Sequence, residues 1–192
     1  VLGASLDNNI LCIAEKSVVA MRQIEPQLVQ EMVKAGCVLI ENQQDIQRLV
    51  DLTVLPNGTP NKKFVGKNAS VILDAAHIPY NGDPRLIIMR TPKDHPFAVI
   101  EMLMPILPVV TVDSFDEGLD VCLMLEAGLH HTATMHSLNM ERLNHMARKM
   151  KTSIFVKNGP SYAGLGFSGE GTTTFTIATP TGESTTSARC FA

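Results

Sequence analysis

The stretch VVTVDSFDEGLDVCLMLEAG, residues 109 to 128, contains one complete strand and one complete helix in order. Its β-branched run VVTV predicts a buried strand. Ser114 and Glu117 have the spacing of a capping box, which begins a helix, and Gly128 is the residue type that commonly ends one. A strand followed by a capped helix is the unit from which parallel sheets are built.

The same alternation of short strands and amphipathic helices continues on both sides of this stretch. Further predicted strands are SVVAM (17–21), CVLI (37–40), RLIIMR (85–90), HTATMH (131–136) and SIFVKN (153–158). Further predicted helices are EPQLVQEMVKAG (25–36), NQQDIQRLVDL (42–52), NASVILDAA (68–76) and MERLNHMARKM (140–150). This order predicts an α/β fold in which helices flank a mostly parallel sheet. After residue 159 the chain becomes rich in Gly, Ser and Thr, with FTIA (175–178) as its one strand-like island.

Composition argues against two classes of partner. The 192 residues carry a formal charge of −3, which gives no electrostatic reason to expect nucleic acid or an anionic membrane. The longest apolar run, AVIEMLMPILPVVTV (98–112), contains a glutamate and two prolines, so it is too interrupted to span a bilayer. The basic stretch NKKFVGKN (61–68) is interpreted as a solvated loop.

Two motifs suggest chemistry that their surroundings do not support. Gly164, Gly166 and Gly169 match the dinucleotide spacing G-x-G-x-x-G, but the β-branched and proline-broken sequence after them cannot begin the helix that this motif needs. His130 and His136 share one face of a predicted strand without a nearby carboxylate or cysteine, which is a poor set of metal ligands. We therefore expect a glycine-rich surface loop and no metal.

The four cysteines have neither the spacing of a zinc site nor that of a disulfide framework, which fits a reducing cytoplasm. Cys37 and Cys122 stand in apolar settings, where a thiol is usually a small buried hydrophobe. Cys12 instead follows three polar residues in SLDNNILC (5–12), whose backbone and amide groups can favour a reactive thiolate or bind an oxyanion. From these residues alone, a catalytic nucleophile and an ordinary cysteine after a polar turn both remain open.

SLDNNILCIAEK (5–16) resembles the nucleophile segment of the CoA-acylating aldehyde dehydrogenases, which convert an aldehyde to acyl-CoA. HPFAVIEMLMPILPVVTVDSFDEGLD (95–120), HTATMHS (131–137) and IFVKNGPSYAGLGFSGEGTTTFTIATPTGE (154–183) resemble later segments of the same family, in the same order. The resemblance covers nearly the whole chain and is strongest to the branch that oxidises propionaldehyde in propanediol-utilisation microcompartments.

This resemblance implies roles for six residues. Cys12 matches the nucleophile, Glu101 matches the glutamate that holds the nicotinamide ribose, and Leu103 matches a residue beside the nicotinamide ring. The aldehyde pocket is implied for Ile13, Ser161 and Tyr162. Leu103 stands where many hydrolytic members have an aromatic residue, which is consistent with the acylating branch.

The family also implies a division into domains. Residues 1–159 are expected to form the core of the catalytic domain, and residues 160–192 the pocket loop and the start of a C-terminal arm. The NAD-binding domain is expected to precede Val1, so the chain is interpreted as an excised piece that does not complete the reaction alone. NAD and coenzyme A are the implied cofactors, a short aldehyde such as propionaldehyde is the substrate, and the complete enzyme is expected to be a homo-oligomer in the cytoplasm or in a bacterial microcompartment.

Two alternatives remain at this stage. The chain could belong to a hydrolytic or a phosphate-linked aldehyde dehydrogenase, which a requirement for CoA would distinguish. It could also be a non-catalytic α/β binding or scaffolding domain, in which case loss of the Cys12 thiol would leave turnover intact.

Overall fold

The computed structural model describes residues 1–167, 173–178 and 184–186. The chain divides into two compact units, Val1–Gly118 and Leu119–Ala192. The predicted boundary between a catalytic core and a C-terminal segment, after residue 159, stays a prediction. Each unit is described by itself below.

The first unit is an α/β structure with a four-stranded sheet. Its strands are β1 (Val18–Met21), β2 (Cys37–Leu39), β3 (Leu86–Arg90) and β4 (Ile106–Val112). Its helices are α1 (Leu2–Ser5), α2 (Glu25–Lys34), α3 (Gln43–Thr53), α4 (Ala69–Ala75) and α5 (Pro96–Val99), and a 3-10 turn (Leu6–Asn9) follows α1. Helix α6 (Phe115–Glu126) crosses the boundary to the second unit.

The sheet has the order β1-β4-β3-β2, and every neighbouring pair is parallel. Strand β3 is central, and its residues 86–89 are completely buried. Alternate residues of β3 belong to two separate apolar clusters, with Ile87 and Met89 in one and Leu86 and Ile88 in the other. Burial on both faces explains why this strand reads as a continuous apolar run, as strands of parallel sheets do.

Helices cover both faces of this sheet. One cluster contains residues of α3, α4 and α5, including Leu49, Ile72 and Phe97. The other contains Val29 and Met32 of α2 together with Ala4 of α1. The predicted α/β architecture, a parallel sheet flanked by helices, is confirmed in this unit.

The helix boundaries follow the predicted signals closely. Pro26 stands in the first turn of α2, and Gly36 after its end has a φ of +98°, which a glycine adopts without strain. Ser114 Oγ accepts from the Glu117 N–H at 3.1 Å before α6. The Glu117 carboxylate reaches back to the Asp113 N–H at 2.7 Å, one residue earlier than an ideal capping box.

The second unit contains a parallel pair of strands and an antiparallel pair. Its elements are β5 (Thr132–Met135), α7 (Met140–Met150), β6 (Ile154–Lys157), a 3-10 turn (Ser161–Leu165), β7 (Ile177–Ala178) and β8 (Ser184–Thr185). Strands β5 and β6 are parallel, whereas β7 and β8 are antiparallel. Helix α7 begins at the Asn139 side chain, which accepts from the Arg142 N–H at 3.0 Å.

Sequence patterns located most of these elements and missed several short ones. Helix α1, helix α5 and strand β8 have at most four residues each, too few to show a hydrophobic period. Strand β4 begins at Ile106, three residues before the predicted VVTV, and it contains Pro108. A proline usually argues against a strand interior, so the prediction stopped short.

Two glycines of the dinucleotide-like motif, Gly164 and Gly166, lie in the described part of the chain, where they allow close packing. A Cβ at Gly164 would lie 2.2 Å from Ile154 Cγ2 of β6, so only glycine lets the 3-10 turn approach the strand this closely. The turn ends at Gly166, with a φ of +91°, and no α-helix begins there. Gly169 lies outside the described residues.

Candidate active site

The candidate nucleophile lies at the amino edge of the four-stranded sheet. Residues 12–16 lead into β1, and residues 101–103 lead into β4. Strands β1 and β4 are parallel neighbours, with Val18 opposite Val109, so the segments that enter them meet at one edge. A hydrogen bond of 3.1 Å from Ser17 Oγ to Ala98 O joins residues that flank these two segments.

The residues before Cys12 form a backbone turn of unusual geometry. Asp7, Asn8 and Asn9 have φ values of +47°, +53° and +65°, three left-handed residues in succession. Asp and Asn tolerate this region better than other residues with a Cβ, since their short polar side chains can bond locally. The polar triplet of SLDNNILC is therefore explained first by backbone conformation.

Asn9 holds this turn together from inside. It is 1% exposed, and its Nδ2 donates to Ala4 O at 2.7 Å and to Glu15 O at 2.8 Å. Lys16 Nζ donates to both oxygens of the residue, to Asn9 O at 2.8 Å and to Asn9 Oδ1 at 2.9 Å. These bonds tie the residues on either side of Cys12 into one closed loop, which we call the nucleophile loop (residues 4–16).

The basic stretch 61–68 supports the nucleophile loop. Asn8 Nδ2 donates to Gly66 O at 3.1 Å and to Asn68 Oδ1 at 2.8 Å. The Gly66 N–H in turn donates to Leu103 O at 3.0 Å. Leu103 has a φ of +54°, so four of the nine non-glycine residues with positive φ in the described chain lie in the two segments of this site. Such concentration of strain is typical of functional sites.

Lys16 and Glu101 bring charge to the same edge. Their closest N–O distance, from Lys16 Nζ to Glu101 Oε1, is 3.8 Å. The Glu101 side chain is 55% exposed and the Lys16 side chain 23% exposed. Burial lowers the pKa of Lys16, and the nearby Glu101 and Cys12 oppose that shift. An exposed carboxylate beside the nucleophile loop can accept hydrogen bonds from the hydroxyls of a ribose.

The cysteines that the structure describes differ in accessibility. Cys12 is exposed, Cys37 is buried in β2, and Cys122 is half-buried in α6. Burial raises the pKa of both the Cys37 and the Cys122 thiol to about 11, which keeps them protonated near neutral pH. Cys190 lies outside the described residues. Cys12 is therefore more accessible to solvent than Cys37 and Cys122, as the polar residues before it in the sequence predict.

The three residues assigned to the aldehyde pocket lie in different surroundings. Ile13 directly follows Cys12 and is 2% exposed. In the second unit, Ser161 is buried and Tyr162 is half-buried in the 3-10 turn. The Tyr162 ring packs edge-on against Phe167, with ring centroids 6.3 Å apart. The first unit brings Cys12, Ile13, Glu101 and Leu103 to one sheet edge, and the pocket roles stay predictions.

His95, which the sequence places before a proline, caps helix α5. Its Nδ1 accepts from the Phe97 N–H at 3.2 Å. Burial lowers the pKa of His95, and the neighbouring Asp94 opposes that shift. Since α5 ends two residues before Glu101, this cap helps to fix the start of the segment that carries the carboxylate.

Acid should remove this cap, because a protonated Nδ1 cannot accept a hydrogen bond. The folded pKa lies below the unfolded value of about 6.5, so the cap's contribution is complete above that pH and is lost as the pH falls from there through the folded pKa. Asparagine also caps helices but does not titrate in this range, so His95→Asn is the control. When the pH is lowered from about 8 to about 5, we expect the thermal midpoint to fall further in the parent chain than in His95→Asn. Parallel pH profiles for the two proteins would contradict this role.

The His130 and His131 rings make local contacts in the second unit. In residues 1–167, 173–178 and 184–186, no three His, Cys, Asp or Glu side chains are grouped to hold a metal ion. His130 Nδ1 lies 3.3 Å from Met150 O, and His131 Nδ1 lies 2.7 Å from Thr132 Oγ1, so both rings have local partners.

None of the described helices combines the length and apolar character needed to cross a bilayer.

Two residues of the site were missed from the sequence. Asn9 was interpreted as a turn residue whose amide could bind an oxyanion, whereas its Nδ2 donates to Ala4 O and Glu15 O, and Lys16 was given no role. The signal for Asn9 was present, since three consecutive Asp or Asn residues predict a left-handed turn. Lys16 carries no such signal, because its partners are two backbone carbonyls, the Asn9 side chain and a glutamate 85 positions away, and no local pattern encodes them.

Comparison with curated proteins identifies relatives along nearly the whole chain. A propanal dehydrogenase (CoA-propanoylating) of Citrobacter freundii is 53% identical over 191 residues, which is 99% of this chain and 41% of that protein. The chain thus spans about two fifths of the length of this relative. No family model matches the chain.

Solved structures agree with the sequence comparison. A Rhodopseudomonas palustris propionaldehyde dehydrogenase, with bound CoA and an acylated cysteine, has a TM-score of 0.95 and 45% identity, covering 99% of this chain and 43% of that one. A propionaldehyde dehydrogenase from the fucose-utilisation microcompartment of Clostridium phytofermentans has a TM-score of 0.94 and 43% identity. The match covers 98% of this chain and 43% of that one.

Proposed function

The chain is homologous to the CoA-acylating aldehyde dehydrogenases over nearly its whole length, and on that premise we propose that it supplies the nucleophile-bearing part of such an enzyme. The complete enzyme would oxidise a short aldehyde, propionaldehyde or one of similar size, to its acyl-CoA. The observation that carries this proposal is the exposed Cys12 thiol at the end of a closed polar loop, beside the exposed carboxylate of Glu101.

Cys12 acts first, as the thiolate. Its sulfur forms a bond to the aldehyde carbon, and the carbonyl π electrons move to the oxygen to give a thiohemiacetal oxyanion. The backbone N–H of Cys12 is a donor for that oxyanion, together with an amide from the remaining part of the enzyme. Among the described residues, none accepts a hydrogen bond from this N–H, so it is available for the role.

Glu101 is the residue that would hold the nicotinamide cofactor, through the ribose hydroxyls, with Leu103 packing beside the ring. When bound there, NAD would supply the acceptor for the hydride that leaves the thiohemiacetal carbon. The carbonyl then re-forms, and the acyl group remains on Cys12 as a thioester. The backbone of Leu103 is fixed by the Gly66 N–H, which helps this segment to keep its shape during the transfer.

Coenzyme A completes the reaction by thioester exchange. Its thiolate attacks the acyl carbon, the bond to Cys12 breaks, and Cys12 leaves as a thiolate while acyl-CoA is released. Because one thioester replaces another, the exchange is nearly balanced in free energy and runs in both directions. This reversibility allows the acyl group to be loaded onto Cys12 from the product side.

Location and assembly follow the same homology. We propose that the enzyme is a homo-oligomer. We also propose that it lies in the cytoplasm or in a bacterial microcompartment, since the Clostridium phytofermentans relative comes from a microcompartment. Ile13, Ser161 and Tyr162 are proposed to line part of the aldehyde pocket. The proposed boundary after residue 159 separates the catalytic core from the pocket loop and the start of the C-terminal arm.

Reverse acylation tests the proposal directly. The chain and the complete enzyme are incubated with propionyl-CoA, and intact mass followed by peptide mapping locates the adduct. We expect one propionyl group on Cys12 and none on Cys37 or Cys122, and no adduct in Cys12→Ala. Failure of the complete enzyme to form this adduct would end the acylating hypothesis.

A further inference from the structure

Lys16 has no part in the reaction steps above, yet it touches both segments of the candidate site. Besides its two bonds to Asn9, its Nζ lies 3.3 Å from Leu11 O and 3.8 Å from Glu101 Oε1. An ammonium has three donors and no acceptor. Four oxygens already surround this one, so the group is suited to holding its neighbours in place rather than to transferring protons.

The contact with Leu11 O bears on the oxyanion donor. The carbonyl of Leu11 and the N–H of Cys12 belong to one planar trans peptide unit, in which they point in opposite directions. Whatever fixes the carbonyl therefore fixes the direction of the N–H. Leu11 O accepts from the Ala14 N–H at 3.0 Å and from Lys16 Nζ, so this peptide plane is held from two sides.

The same ammonium also orders the rest of the loop and the cofactor segment. Through both oxygens of Asn9 it holds a buried residue of the left-handed turn. Through Glu101 it reaches the segment that enters β4. One cation thus fixes the distance between the loop that carries the thiol and the carboxylate that would hold the ribose.

We propose that Lys16 is a positioning residue, which aims the Cys12 backbone N–H at the substrate oxygen and holds Glu101 at a fixed distance from the nucleophile loop. This inference rests on the proposed function. Misalignment of an oxyanion donor weakens an interaction made mainly in the transition state, so the effect falls on kcat and leaves the KM for the aldehyde nearly unchanged.

The test compares four variants of the complete enzyme: Lys16→Met, Lys16→Arg, Lys34→Met and Cys12→Ala. Lys34 is an exposed lysine of helix α2, outside both segments of the candidate site, so its replacement removes the same charge without these contacts. We expect Lys16→Met to lower kcat roughly 10- to 100-fold, with the KM for propionaldehyde within about threefold of the parent. Lys16→Arg, which keeps the charge and donors, should retain kcat within about fivefold, and Lys34→Met should match the parent.

Each outcome separates this inference from the proposed function. If Cys12→Ala loses activity while Lys16→Met keeps the kcat of the parent, the inference about Lys16 is overturned and the proposed function stands. The same holds if Lys16→Arg loses as much kcat as Lys16→Met. Turnover retained by Cys12→Ala would overturn both. Should Lys16→Met fail to fold by circular dichroism, Lys16→Ala assayed with added methylammonium takes its place. A rise in kcat of about tenfold on adding the amine supports the role, and no rise overturns it.

Discussion

Replacement of Cys12 by Ala is expected to reduce CoA-dependent oxidation of propionaldehyde by the complete enzyme roughly 10³-fold or more, because both acyl-transfer steps pass through this sulfur. Binding interactions elsewhere in the site cannot substitute for the covalent intermediate. The measurement is NADH formation with and without CoA, at equal amounts of folded enzyme.

Cys37→Ala is the matched control. It removes the same group from a residue that is 4% exposed in β2 and whose pKa is raised to about 11, so turnover should stay within about threefold of the parent. Turnover retained by Cys12→Ala would favour a non-catalytic α/β domain. Aldehyde oxidation that persists without CoA and still needs Cys12 would favour a hydrolytic relative.

Replacement of Asn9 by Ala is expected to lower the free energy of unfolding of the first unit by about 3 kcal/mol. The substitution removes the two hydrogen bonds from Asn9 Nδ2 to Ala4 O and Glu15 O, and Lys16 loses one acceptor. Alanine must also adopt the φ of +65° at this position, which costs about 1 kcal/mol or more. Urea unfolding of the chain measures the change.

Asn9→Gly separates the two contributions. Glycine adopts a positive φ without strain, so this variant loses the hydrogen bonds alone and should be about 1 kcal/mol less destabilised than Asn9→Ala. Equal stability of the two variants would show that backbone strain contributes little. Values within about 0.5 kcal/mol of the parent for both would contradict the view that Asn9 holds the nucleophile loop.

The sequence allowed the fold to be predicted because its signals are local. Apolar runs such as RLIIMR, a capping residue such as Ser114 and the helix-ending Gly36 each act within a few residues. The candidate site was also predicted from a local segment, SLDNNILC, through its resemblance to a known family. The amino-edge position of Cys12 and Glu101 could not be predicted, since it depends on the strand order β1-β4-β3-β2.

The internal connections of the site were beyond prediction for the same physical reason. Asn9 and Lys16 act mainly through backbone carbonyls, which every residue carries and no side-chain pattern reveals. Leu103 adopts a left-handed conformation that its residue type does not favour, so its φ of +54° is imposed by the surrounding fold. Long-range hydrogen bonds of this kind appear only when the chain is folded.

The pairing of β1 with β4 has a consequence for the order in which this chain folds. Residues opposite each other in this pair are 91 positions apart, whereas β2, β3 and β4 follow one another along the chain. Closing the longest loop costs the most chain entropy, and contacts between distant segments form slowly. We therefore expect the first strand to dock last, so that the thiol meets its carboxylate only as the sheet is completed.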